Sequence, residues 1–368
     1  MTNNVRHVLG ISGGKDSAAL AIYLTDKYPQ LDIEYYFCDT GKELDETYML
    51  IQNLEIYFGK TIIRLEAAQN SHEPPFDHFL KIYGGYLPSS TARWCTKKLK
   101  LEPFEKWVGN DPVISYVGIR GDEDREGYIS KKINIQSIFP FRKNMWSEDV
   151  ISKILRNENI QLLVQLYEKH IDNVKLKRIL EIVNEPLSSK FHQLNKLNAL
   201  LDASVMAFNQ IVFDFLKNTD YPLSKSETFP LLDNEDLLGR DDIFRILKDS
   251  GVGVPKYYEP IVFDIDGNKG QYCRSRSGCY FCFFQQNIEW IWLYEQHPDK
   301  FKLAMEYEKD GYTWMQDESL EDLIQPERIS QVKDEYLKRT ARTTNKKSSY
   351  LLDILENAEE EGCTACFI

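Results

Sequence analysis

Val8-Leu9-Gly10-Ile11-Ser12-Gly13-Gly14-Lys15-Asp16-Ser17-Ala18-Ala19-Leu20 is the stretch that decides the fold. An apolar run of strand type leads into two adjacent glycines. A helix-like run, Ala18 to Leu24, follows at once. Paired glycines let the backbone turn sharply and approach an anion, while the amides of a new helix start point at the same place. Lys15 adds a point charge, and Ser12 and Ser17 add hydroxyl donors. The segment therefore reads as a phosphate cradle. It is not a Walker A loop, which needs four residues between its glycines and a Gly-Lys-Ser/Thr ending.

Outward from this loop, short apolar strands alternate with helical patterns up to about residue 145. That alternation predicts an α/β fold with a parallel, Rossmann-like sheet covered by helices. The expected strands are Val8 to Ile11, Ile33 to Cys38, Thr61 to Leu65 and Val113 to Ile119. The second runs into Asp39-Thr40-Gly41-Lys42-Glu43, and the last into Arg120-Gly121-Asp122-Glu123-Asp124-Arg125. Ligands of open α/β sheets bind beyond the carboxyl ends of the strands, so the three loops are expected to share one crevice. Asp16 suits either a magnesium contact or helix capping. Asp39 and Glu43 suit metal or ribose around a turn at Gly41. Arg120 and Arg125 suit bidentate contact with phosphate oxygens, or ion pairs with Asp122 and Asp124.

The chain has 368 residues and a formal charge of -12, from 45 Lys plus Arg against 57 Asp plus Glu. A molecule of this charge repels nucleic acid as a whole, which leaves such contact to local segments or to a partner. Two basic runs exist, Arg93 to Lys100 and Arg274 with Arg276, and both touch cysteines. The polar start, Met1 to His7, is not of signal-peptide type, and no apolar run reaches transmembrane length. A cytoplasmic protein is expected.

Three regions are expected: a nucleotide-binding α/β domain over 1–145, a helical insertion over 146–224, and a cysteine-bearing, mainly helical region over 225–368. In the insertion, Leu194, Leu197, Leu201, Val205, Phe208, Val212 and Phe215 step by three and four and form one apolar stripe for packing. Turn signals at Asp249-Ser250-Gly251, Gly253-Val254-Pro255 and Asp266-Gly267-Asn268 punctuate the next stretch. An aromatic-rich helical pattern spans Gln285 to Glu308, and a charged, helical tail runs from Asp334.

Seven cysteines without a secretory signal argue for metal or thiol chemistry over disulfides. Cys273, Cys279 and Cys282 are spaced Cys-x5-Cys-x2-Cys, and Cys95 lies far upstream in Arg93-Trp94-Cys95. Together they make a four-thiolate set for a 4Fe-4S cluster or for Zn2+, between which ligand softness does not decide. Cys363 and Cys366 form a terminal Cys-x-x-Cys that suits either sulfur relay or an inert tail. Cys38 is expected to be packed.

Ser12 to Ser17 resembles the PP-loop of ATP pyrophosphatases, which cleave ATP between the α and β phosphates. The second and third loops resemble the Asp-Thr-Gly-x-Glu and Gly-Ile-Arg segments of proteins similar to phosphoadenosine-phosphosulfate reductases. Arg276-Ser277-Gly278-Cys279-x-x-Cys282, with the upstream Trp94-Cys95, looks like the cluster-binding pattern of sulfur-handling members and tips the metal toward iron. The resemblance covers about 1–145 and 225–310. It is closest to the DndC-like and SspD-like proteins of DNA phosphorothioation. It implies ATP and Mg2+ as ligands, with nucleotide held by Ser12, Gly13, Gly14, Lys15, Asp16, Ser17, Asp39, Thr40, Gly41, Glu43, Arg120, Glu123 and Arg125. Lys15 and Asp16 take the catalytic roles by the same likeness, and Cys95, Cys273, Cys279 and Cys282 hold the cluster. The implied partners are a cysteine desulfurase and other modification subunits, with DNA bound through the complex and no membrane. A tRNA-thiolating enzyme, a reductase of adenylylated sulfate and a zinc-stabilised nucleotide-sensing scaffold remain alternatives.

Overall fold

The computed structural model describes residues 5–123, 130, 132–171, 174–309, 311–316 and 318–343. Arg125, Asp124, Cys363 and Cys366 lie outside the described residues.

A five-stranded, wholly parallel sheet has the order β3-β2-β1-β4-β5, with β1 Arg6–Gly10, β2 Ile33–Asp39, β3 Ile63–Glu66, β4 Val113–Tyr116 and β5 Ile135–Ile138. Parallel strands need covered faces. Helices α1 (Lys15–Lys27), α2 (Asp45–Phe58), α3 (Pro75–Ile82), α4 (Trp94–Thr96) and α5 (Glu102–Val108) belong to the crossovers, with a π-helical turn, Lys97–Leu101, joining the last two. The order reverses on either side of β1. Chain leaving β1 therefore enters a crevice at the switch point, where the glycine loop stands.

Helix α1 is buried from Lys15 to Leu24. Its Ala18, Ala19 and Ala21 carry no bulk beyond Cβ, which brings the helix close to the sheet. The loop after β4 comes equally near: a Cβ at Gly118 would stand 2.8 Å from the Asp16 carbonyl oxygen. A glycine at 118 thus lets the third loop lie against the first turn of α1.

The sequence did not predict β5. Ile135-Gln136-Ser137-Ile138 has only two apolar residues, yet all four are buried. Gln136 is held by accepting, through Oε1, from the Leu223 amide at 3.1 Å. Strand β4 is also shorter than expected, since Val117 to Ile119 already belong to the loop.

Beyond the sheet come α6 (Glu148–Ile154), α7 (Ile160–His170), α8 (Lys175–Asn184), α9 (Gln193–Ala203) and α10 (Val205–Leu216). The expected apolar stripe does not run along one helix. Ser204 is extended, its Oγ accepts from the Ala207 amide, and α9 and α10 meet at a bend of 118°. Leu194 is 64% exposed and leaves the stripe, while Leu197, Leu201, Val205, Phe208 and Val212 are buried. One apolar cluster joins α1 and the sheet to these helices and to α11 (Arg240–Asp249). Among the described residues no single helix is long and apolar enough to cross a membrane.

The last part adds an antiparallel hairpin, β6 (Ile261–Ile265) and β7 (Asn268–Tyr272), around the Asp266-Gly267 turn. The expected Gln285–Glu308 helix is divided at His297 into α12 (Asn287–Gln296) and α13 (Pro298–Met305). Proline at the first position of α13 starts a new helix readily but cannot continue the old ladder. Helices α14 (Leu320–Leu323) and α15 (Pro326–Thr343) follow. A second, aromatic-rich cluster packs Phe76 and Trp94 against Phe281, Trp290 and Trp314.

Candidate functional site

The glycine loop joins β1 to α1. Gly13 has φ 77°, and a Cβ there would lie 2.3 Å from Thr47 Cγ2 of α2. Backbone conformation and packing both require glycine at this point. The two serines brace the loop from within. The Ser12 amide donates to Ser17 Oγ at 3.1 Å, Ser17 Oγ donates to the Gly14 carbonyl at 3.2 Å, and the Gly14 amide donates to Ser12 Oγ at 3.3 Å. They hold the shape of the cradle in this structure.

Lys15 is only 7% exposed. Its ammonium lies 3.3 Å from Asp16 Oδ2, donates to the Ser275 carbonyl at 3.3 Å, and stands over the Tyr258 ring. Burial, opposed by Asp16, lowers its pKa. Asp16 is not a helix cap, because Gly14 takes the N-cap position without a side-chain bond. Its Oδ1 accepts instead from Arg120 Nη1 at 2.9 Å. The same guanidinium reaches Asp122 at 2.8 Å and Glu123 at 2.6 Å. The first and third loops are thereby brought together, as the topology requires.

The second loop is tied mainly to itself. Asp39 Oδ1 accepts from the Gly41 amide at 2.8 Å and from Tyr48 Oη at 2.9 Å. Thr40 Oγ1 donates to Glu43 Oε1 at 2.8 Å and lies 3.2 Å from Cys279 Sγ. Glu43 is buried, which raises its pKa. It forms an antiparallel bridge with Cys279, and the Tyr280 amide donates to the Lys42 carbonyl at 2.9 Å. The cysteine segment is thus docked on the loop that follows β2.

The thiols divide into two groups. Cys282 acts electrostatically on both Cys95, on α4, and Cys279. Burial is the leading cause that pushes the Cys95 thiol up to about 12 and raises Cys279 and Cys282 as well. Lys100 opposes this shift at all three. Cys273 instead feels Arg240, Glu289 and Lys15. The backbone explains the separation: the Arg274 amide donates to the Tyr257 carbonyl at 2.9 Å, which fixes the chain just after β7 on the glycine-loop side.

As a donor set, three soft thiols beside Lys100 suit thiolate ligation in kind. The expected cage of four is not assembled. Among the described residues no group of three or more His, Cys, Asp or Glu side chains stands as a metal-ion ligand set. Cys38 is buried, with its Sγ 3.6 Å from the Lys100 carbonyl.

Several contact residues carried no sequence signal. Tyr257 Oη donates to the Gly13 carbonyl at 2.6 Å, and the Lys15 amide donates to Tyr258 Oη at 3.3 Å. Ser277 Oγ donates to the Ser12 carbonyl at 3.3 Å. Segments 257–258 and 275–277 therefore cover the glycine loop. Lys100 and Arg274 were visible only as members of basic runs. A cavity of about 600 Å3 opens at the end of β3, lined in part by Gln69, His78, Lys98, Glu102 and Trp107. It shares none of the glycine loop's residues.

A family model described as the phosphoadenosine phosphosulfate reductase domain matches residues 6–203, from β1 through α9. Two uncharacterized proteins of Methanocaldococcus jannaschii are similar to the chain. One is 34% identical over 181 residues, covering 45% of this chain and 34% of the relative. The other is 26% identical over 175 residues, covering 44% and 38%. The matched stretch thus spans little more than a third of each relative's length.

Proposed function

The chain belongs to the phosphoadenosine phosphosulfate reductase domain family, whose members handle adenine nucleotides in sulfur chemistry, and from that premise we propose that it is an ATP pyrophosphatase. In this reading it activates a phosphate oxygen of DNA for replacement by sulfur. The carrying observation is the junction of two chemistries in one crevice. A braced glycine loop with Lys15 stands at the end of β1, and the next loop docks a segment bearing Cys279 and Cys282.

The proposed chemistry balances in two steps. An acceptor oxyanion attacks the α phosphorus of ATP, the bond to the β-phosphate oxygen breaks, and pyrophosphate leaves. A sulfide equivalent then displaces AMP, which carries away the original oxygen, and one proton is released. Charge grows on the departing pyrophosphate in the first step, so the loop amides and Lys15 stabilise that transition state. In this reading Asp16, which is paired with Arg120 and Lys15, turns its carboxylate to a magnesium ion on the phosphates. Cys95, Cys279 and Cys282 are the ligands proposed for an iron–sulfur cluster, with Cys273 as the fourth ligand that the sequence resemblance implies. When bound, such a cluster would pass on electrons from an external reductant, two for each persulfide sulfur reduced to the sulfide used in the second step.

The reading is tested by pyrophosphate release from ATP with purified protein and its partners. Lys15→Ala is expected to lower the rate by about 10²- to 10³-fold, the usual loss for one preorganised transition-state donor. Mass spectrometry of genomic DNA, with and without the gene, is expected to show phosphorothioate dinucleotides only with it. Pyrophosphate release without DNA sulfur would leave the ATP chemistry standing and move the acceptor elsewhere.

A further inference from the structure

Arg274 follows β7 and is 1% exposed. Its Nη2 donates to the Cys279 carbonyl at 3.2 Å and to Gln285 Oε1 at 3.1 Å. Nε and Nη1 have no partner. Among the described residues no carboxylate forms an ion pair with it. Glu43 and Glu46 act on it electrostatically, but Glu43 is bonded to Thr40 and Glu46 is paired with His297. A buried guanidinium with two donors unfilled is disfavoured unless an acceptor completes the site.

The surroundings supply more unused donors. Gln285 Nε2 and Trp292 Nε1 are buried without partners, and the guanidinium carbon lies 5.8 Å from the Trp292 ring centroid. Glu43 Oε2 and Glu46 Oε2 are likewise buried without partners. The guanidinium carbon is also 6.0 Å from the Tyr257 ring, whose hydroxyl is bonded to Gly13. Arg274 therefore stands between the glycine loop and the Cys279–Cys282 turn.

Charge balance makes this position consequential. On the sheet side, Lys15 and Arg120 face Asp16, Asp122 and Glu123, two cations against three carboxylates. Arg240, which also acts on Lys15, brings that group only to neutrality. The described sheet-side groups thus offer an anionic substrate no net positive charge. Arg274 brings two unused donors, and of the carboxylates that act on it Glu43 has its pKa raised by burial and Glu46 is already paired with His297.

We infer that Arg274 is the receptor for an oxyanion, a phosphate- or sulfate-type group held between the glycine loop and the thiols. The inference rests on the proposed nucleotide chemistry only for what lies next to that group. Two sources share the chemistry, the nucleotide's own phosphates and the oxyanion of a second substrate.

The test uses the full chain with inorganic phosphate and sulfate as probes, followed by thermal shift and calorimetric titration in chloride buffer. Both probes are expected to stabilise the wild type. Arg274→Gln is expected to weaken their binding by about tenfold or more, and Arg274→Lys, which keeps the charge without the fork, by less. Repeating the titration with a saturating non-hydrolysable ATP analogue separates the sources. Binding that persists assigns the receptor to a second substrate; competition assigns it to the nucleotide.

The inference is overturned if the wild type responds to neither probe. It is also overturned if Arg274→Gln, or Arg274→Lys should the first variant not fold, binds both probes as the wild type does. Faster alkylation of Cys279 alone would then mark the guanidinium as a brace for that turn. Pyrophosphate release is scored separately, so loss of the ATP reading and loss of the receptor are distinct results.

Discussion

Asp16 and Arg120 meet at 2.9 Å and fasten the first turn of α1 to the loop beyond β4. Both side chains are largely removed from water. Cutting the guanidinium away leaves buried Asp16 with Lys15, at 3.3 Å, and takes a cation from Asp122 and Glu123; breaking a buried pair typically costs about 3–5 kcal/mol, and the retained lysine sets that as the upper end here. Arg120→Ala is therefore expected to lower the urea midpoint, while Asp16→Asn with Arg120→Met recovers only part of the loss, because Lys15 then loses its carboxylate. Equal destabilisation by the single and double variants would show that the pair adds nothing to the fold.

Gly13 and Thr47 form a second coupled pair. Alanine at 13 meets a left-handed backbone, roughly 1–2 kcal/mol, and overlap with Thr47 Cγ2 that adds about 1–3 kcal/mol. Thr47→Ser removes that methyl. The double variant is expected to regain the steric part of the loss in denaturant unfolding and to keep the backbone part.

The separation of the thiols predicts unequal roles. In anaerobically purified protein, Cys95→Ala, Cys279→Ala and Cys282→Ala are each expected to lose bound iron and its visible absorbance. Cys273→Ala is expected to keep the larger share. Equal loss from all four would mean that Cys273 turns inward when metal binds, and stoichiometric zinc in a colourless wild type would count against sulfur transfer.

His7 gives the fold an acid sensitivity. Its Nδ1 lies 2.8 Å from Tyr116 Oη, and burial, slightly opposed by Asp32, pushes the imidazole down to about 4. Between about pH 6.5 and 4 the unfolded chain holds the proton and the folded chain does not, so stability falls as pH falls through that window. The loss reaches about 3 kcal/mol at most. His7→Phe is expected to flatten this part of the stability curve in urea titrations at stepped pH; an unchanged slope would assign the acid loss to other groups.

What could be read from the sequence follows from how locally each feature is encoded. Val8 to Leu20 carries strand, turn and helix signals in unbroken order, and the loop it predicts is the loop observed. Strand β5 was hidden because Gln136 and Ser137 are buried through their neighbours and not through their own apolarity. The stripe from Leu197 to Val212 keeps helical spacing across the Ser204 bend, so periodicity alone did not reveal the corner. Tyr257, Tyr258, Ser275 and Ser277 reach the glycine loop only through docking of distant chain, which spacing does not encode.

The apolar cluster that begins against Leu9 and Leu20 and ends at Phe208, Leu216 and Leu247 binds the sheet and the following helices into one cooperative unit. Excising 146–224 would strip neighbours from α1 and wet side chains that have no polar face to offer. A shortened chain of that kind is bound for aggregation, and the smallest workable fragment must retain the helices even when only nucleotide chemistry is wanted.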